Sequence, residues 1–165
     1  MVNNMPIAHY IDDFESIHMA NPPTTTQDLA TQLATYFRAL NPVPNVGFIA
    51  AGYDGTAPWV VSVGVAGNNV GRVNWNAQAN AVLYGIARGG DTAIVDRLLS
   101  QQQFNPPFQV MNLQDAVDYS RHLIRSTIDQ LRFEPRFPSV GGPIDTLVVA
   151  QGKTEFLRLK KLQAS

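Results

Sequence analysis

Five groups of residues in this chain have the types, though not always the spacing, from which chemistry is built. His9, Asp12, Asp13, Glu15 and His18 form the densest set of metal-ligand types. His9, Asp12 and Asp13 share a helix face by their i, i+3 and i+4 offsets, but His18 lies more than two turns from His9, so the group reads as a solvated helix face. Ser120 and His122 are two apart on a helix, point away from each other and have no placed acid, so they do not make a triad; His122 is expected at a surface or interface. Thr24, Thr25 and Thr26 follow Pro23 at a helix start, where hydroxyls cap backbone N–H groups rather than attack substrates. Gly85, Gly89 and Gly90 precede a helix in the outline of a phosphate loop, yet the completing Lys-Ser/Thr is absent and Arg88 falls between the glycines. Trp59 and Trp75 could stack a ligand, but aromatic residues on adjoining strands ordinarily stabilise a sheet. No cysteine is present, which removes disulfides, thiolate zinc sites and a cysteine nucleophile together.

Two helices are predicted to open the chain. Ile7, Tyr10, Ile11, Phe14 and Ile17 recur at helical spacing until Asn21-Pro22-Pro23 stops them. Thr25 and Asp28 then make a Thr-x-x-Asp start for Leu29, Leu33, Phe37 and Leu40, which Asn41-Pro42 ends. Residues 46–53 read as a buried strand, 54–58 as a turn and 59–65 as the returning strand. After a turn at 66–69, residues 70–75 alternate like a half-exposed strand, and 81–86 suggest one more short strand.

Gly89-Gly90-Asp91 opens a helix bearing Ala93, Ile94, Leu98 and Leu99, with Asp91 or Thr92 as N-cap. Residues 104–108, Phe-Asn-Pro-Pro-Phe, read as a rigid loop. Asn112 caps the longest helix, from Leu113 to about Leu131, with a stripe of Ala116, Val117, Leu123, Ile124 and Ile128. Strands at 144–150 and 155–159 close the chain, the first entered through Gly141-Gly142, with Leu147, Val148 and Val149 expected to bury. The order lacks strict strand–helix alternation, so the expected class is α+β with antiparallel strands.

At 165 residues the chain has the size of a single domain, 1–165, with a real core. Charged residues make up only 15%, against a typical share of about 25%, so much of the surface must be neutral, as in a subunit that associates with others. A net charge of −1 and the lack of a long basic run give no footprint for nucleic acid or a membrane surface. With no secretion signal or membrane-length apolar run, the expected compartment is the cytoplasm.

Four markers, in order, resemble the later part of a proteasome-type subunit, the N-terminal-nucleophile hydrolase fold shared with the bacterial two-component protease and the ancestral bacterial β-subunit. They are Phe48-Ile-Ala-Ala-Gly-Tyr-Asp54 before a hairpin, Leu83-Tyr-Gly-Ile-Ala-Arg-Gly-Gly-Asp91 before Ile94-Val-Asp-Arg-Leu-Leu99, Leu113-Gln-Asp-Ala-Val117 opening the long helix, and Val140-Gly-Gly-Pro-Ile-Asp145-Thr-Leu-Val-Val149. The resemblance spans from about Ile7 to the end. It implies a four-layer helix–sheet–sheet–helix sandwich, here incomplete at its N-terminal side, and assembly into rings with copies or companion subunits. It further implies peptide substrates, an ATPase partner and no cofactor.

Family activity, where present, is amide hydrolysis by an N-terminal threonine whose free α-amine, with a pKa of about 8, is the base. The first strands supply an acidic residue and a lysine. This sequence starts within the equivalent of the first helix, so no residue of it matches those three positions. The family also often places an aspartate three residues before a Ser-Gly-Gly; matching the glycines to Gly141 and Gly142 puts Val140 and Phe137 at those positions. The resemblance leaves Gly85, Gly89 and Gly90 as the oxyanion-side turn, with a plain turn ahead of a helix cap as the alternative. Gly141, Gly142 and Asp145 mark a structural glycine turn; no catalytic residue and no metal ligand is identified. Two functions follow: a proteasome-like subunit of a threonine-peptidase family, truncated or inactive in this chain, or a non-enzymatic assembly protein that retains the fold.

Overall fold

A computed structural model describes residues 5–101 and 105–158; the first four residues, Phe104 of the predicted loop and Leu159 of the last predicted strand lie outside them. Among the described residues, four α-helices and three small antiparallel sheets make a mixed α+β chain, which divides into two compact units, Met1–Ala87 and Arg88–Ser165. None of the described helices is long and apolar enough to cross a membrane.

In the first unit, helices α1 (Ile7–His18) and α2 (Thr26–Arg38) form where predicted. The Thr25 hydroxyl accepts the Asp28 backbone N–H at 3.0 Å, and Asp28 adds negative charge to the first turn, where the helix dipole favours it. Ala30, Leu33, Ala34 and Phe37 are the buried face of α2. They meet Phe14 of α1 and Ala50, Val61 and Val63 of a three-stranded sheet built from β1 (Gly47–Asp54), β2 (Ala57–Gly64) and β3 (Asn69–Arg72), in that order. Strands β1 and β2 pair antiparallel from Gly47 opposite Gly64 to Asp54 opposite Ala57. The Thr26 backbone N–H and hydroxyl both donate to Asp54 Oδ1 at 2.8 Å, fastening the start of α2 to the end of β1. That approach requires Gly52: a Cβ there would lie 2.6 Å from Thr26 Oγ1.

β1 departs from the expected buried strand. Its pleat sends Ala50 inward, while Ile49 is 43% and Tyr53 39% exposed on the opposite side. Helix α2 packs on one face of the sheet and α1 joins the same core through Phe14, so among the described residues of the first unit no second layer meets the alternate residues of β1.

The predicted strand over 70–75 is also broken, between Arg72 and Trp75. There the Asn74 side chain takes over the ladder: its Oδ1 accepts the Val60 N–H and its Nδ2 donates to the Pro58 carbonyl, both at 2.9 Å. Beyond it, β4 (Trp75–Asn76) pairs with β5 (Ala81–Val82) in a separate short ribbon, so the strand expected over 81–86 shrinks to two residues.

In the second unit, α3 (Ala93–Leu99) packs on α4 (Leu113–Leu131), and Ile94, Val95, Val117, Leu123 and Leu131 are their buried apolar side chains. Asn112 caps α4 as predicted, its Oδ1 accepting the Asp115 N–H at 2.8 Å. The buried stripe is rotated from the predicted one: Ala116 and Ile124 are exposed and Ile128 is half-buried, while Thr127 is inside, its hydroxyl donating to the Leu123 carbonyl at 3.0 Å. Internal satisfaction of that hydroxyl makes a polar residue tolerable in the stripe.

The closing hairpin pairs β6 (Thr146–Ala150) with β7 (Lys153–Arg158). Leu147 was expected to bury but is 46% exposed, Val148 and Val149 are half-buried, and every residue of β7 is exposed. As a two-stranded ribbon it has no further strand on either edge among the described residues, and the burial foreseen from its apolar run is only partial.

Candidate functional site

The two glycine turns singled out in the sequence behave alike in backbone terms. Gly90 has φ +83° and Gly142 φ +85°, the left-handed region that residues bearing a Cβ rarely adopt. Around Gly142 a Cβ would meet nothing within 4 Å, so the glycine is required by conformation and not by crowding. Gly85 closes the first unit, while Gly89 and Gly90 begin the second; all three are exposed. Asp145, exposed, lies one residue before β6.

Within the second unit the segments after the two turns and before them are clamped together by charge. The Asp91 carboxylate receives Arg136 Nη1 at 2.6 Å and Nη2 at 3.3 Å, a bidentate fork, together with the Ser139 hydroxyl. Arg136 Nε in turn donates to Glu134 at 2.6 Å. Of the two residues expected to cap α3, Thr92 occupies the N-cap position but makes no side-chain cap; its hydroxyl instead donates to Asp96 at 2.8 Å, while Asp91 is taken up by Arg136 and Ser139. Arg88 completes that side by pairing with Asp96 at 2.5 Å.

The electrostatics of the clamp decide what it can do. The Arg136 guanidinium, followed by the Ser139 hydroxyl, holds the Asp91 carboxyl below the usual carboxylate range, and the Asp91 carboxylate, followed by that of Glu134, raises Arg136 further above its ordinary value. A carboxylate so stabilised is a poor proton acceptor, so Ser139 gains no general base from it. The arrangement fixes two loops in place.

The other candidate hydroxyls are likewise engaged. Thr24 donates to Asp28 at 3.2 Å, Thr25 caps α2, and Thr26 is buried against Asp54. Ser120 turns back to the Ala116 carbonyl of its own helix, and His122 stacks on Tyr119 with ring centroids 6.2 Å apart, so the two do not meet. His9 approaches Asp13 at 3.6 Å and His18 Nδ1 lies 2.8 Å from the Phe14 carbonyl, leaving no convergent ligand set in α1. Trp59 and Trp75 do come together, around Arg72: its guanidinium lies 3.8 Å from one ring centre and 4.5 Å from the other, with Nε and Nη2 bonded to Asn74 and the Pro58 carbonyl. That pair holds a cation of the chain itself.

Two features were beyond sequence reasoning. Arg136 and Ser139, 45 and 48 residues after Asp91, carry no local pattern that marks them as its partners. A second cluster, Arg121, His122, Arg125 and Arg158 with Ile144, lines an open cleft of about 380 Å³. Arg121 and Arg125 at i, i+4 were visible as one helix face, but only the hairpin register brings Arg158 opposite Thr146, whose hydroxyl accepts Arg121 Nε at 3.1 Å. Comparison with known protein families, curated proteins and solved structures finds no match to this chain.

Proposed function

We propose that this chain is a relative of the proteasome-type subunits that serves as a non-hydrolytic association module, joining copies of itself or companion subunits in the cytoplasm. The four-layer sandwich belongs to this proposal: the helix-backed sheet of the first unit is one half of such a stack, and further strands and a second sheet come from the partner or from pairing between copies. The observation that carries it is strand β1. It pairs with β2 and, among the described residues, with no other strand, and it presents Ile49, Ala51 and Tyr53 outward. An apolar edge strand of eight residues is a template for another chain unless it is covered. A charged share of 15% leaves few gatekeepers against that pairing. The engaged hydroxyls and the depressed Asp91 support the non-hydrolytic half of the reading.

The test is light scattering of the full chain at micromolar concentration together with a fluorogenic peptide assay. The expected outcome is a species heavier than one chain and no turnover. A monodisperse monomer overturns the association, and reproducible turnover overturns the non-hydrolytic assignment: if it survives mutation of Thr24, Thr25 and Thr26 the nucleophile lies elsewhere, and if one of those mutations abolishes it that threonine is the nucleophile.

A further inference from the structure

Three arginines and a histidine converge on one end of the β6–β7 hairpin, and among the described residues no carboxylate lines the cleft they form. Arg121, His122 and Arg125 come from one face of α4, and Arg158 comes from the last described position of β7. The cluster is held by structure rather than gathered from loose side chains. Arg121 spends Nε on Thr146 Oγ1, and Thr146 is the cross-strand partner of Arg158, so helix and hairpin are tied at the point where the charges meet. Arg125 has an exposed i, i+4 contact with Asp129 at 3.6 Å, long and solvated enough to yield to a stronger anion. Like charges brought this close repel, and a bound anion removes that repulsion while filling donors that water otherwise occupies.

The geometry points to a phosphoryl-binding site: we infer that this cleft takes a phosphate monoester, with the arginine forks on the phosphate oxygens. Guanidinium groups match tetrahedral oxyanions through paired N–H donors, and the His122 ring supplies a further N–H donor. A volume of about 380 Å³ exceeds what a bare phosphate fills, and Ile144 supplies an apolar wall for the group esterified to it. The site lies within the second unit and does not depend on the association proposed above.

The experiment is calorimetric titration of the full chain with phenyl phosphate, inorganic phosphate and benzoate at low salt. Saturable binding of phenyl phosphate, tighter than inorganic phosphate and much tighter than benzoate, is expected. Arg125→Gln and Arg158→Gln, both at exposed positions, should each weaken it roughly tenfold or more while leaving the thermal melt in place. Arg158→Lys should weaken it less, because the charge remains and only the fork is lost. Equal binding of inorganic and phenyl phosphate would assign the site to the free ion and overturn the ester. No saturable phosphate binding, or affinity unchanged in both Gln variants, would overturn the site itself.

Discussion

The two compact units solve the burial problem differently. In the first, α2 covers one face of a three-stranded sheet with α1 joining the same core, and Phe14, Ala30, Leu33, Ala34, Phe37, Ala50, Val61, Val63 and Val65 form one cluster. In the second, the buried apolar side chains among the described residues all lie on α3 and α4, while the β6–β7 hairpin keeps Leu147 and Phe156 about half exposed and polar clamps hold the loops. The first unit is thus held mainly by apolar burial, and the second leans on charged hydrogen bonds that solvent can weaken. The contrast also separates the proposed roles: the open sheet face of one unit is suited to a protein partner, and the cationic cleft of the other to a small anion.

The sharpest way to break this comparison is to empty each core. Phe37→Ala, at a fully buried ring packed against Tyr10, Tyr36 and Phe48, should destabilise by about 3–5 kcal/mol. Hydrogen exchange should show the loss throughout the first unit. Leu131→Ala, also buried, should show the smaller loss if the second unit collapses around the gap, at the lower end of about 2–5 kcal/mol. A larger loss at Leu131 would reverse the ranking of the two cores. Next in size, Gly142→Val should destabilise by about 1–3 kcal/mol because its φ of +85° is strained for any side chain. Gly67→Val should matter less, since the new Cβ meets only the movable end of Asn69; equal melts would remove the significance of the Gly141-Gly142 turn.

The smallest effect concerns the clamp. Asp91 has a folded-state pKa below its ordinary 3.8, so its contribution is fully present above that value and is lost as pH falls through the lower folded value. Asp91→Asn should therefore lower the melting temperature at pH 7 and narrow the difference from wild type as pH drops below about 4. A constant difference across that range would mean that the carboxylate charge does not hold the loops.

The helices were legible because their signals are local: Thr25 and Asn112 cap the helices they precede, and the period of Leu33 and Phe37 repeats on one face. The strands were legible in position but not in burial. Residues 46–53 are apolar on both sides of the pleat, and sequence cannot tell whether a second layer covers the outer side; Ile49 is 43% exposed. The same ambiguity misplaced Leu147. The split at Asn74 depends on a side chain replacing backbone pairing, which the alternation of Val70 to Trp75 conceals. The clamp and the cationic cleft rest on contacts 25 to 48 residues apart, and an overall charge near neutrality hides a local excess.

The central claim is that the outer face of β1 is a seam for another chain, and sedimentation velocity of wild type beside Ile49→Lys tests it most directly. Ile49 points away from the core, so the variant should keep the wild-type fold and melt. Wild type is predicted to sediment as a multiple of its 18.1 kDa mass at micromolar concentration, and the variant as a single chain. A wild type that sediments as one chain, or a folded variant that assembles as wild type does, would contradict the account.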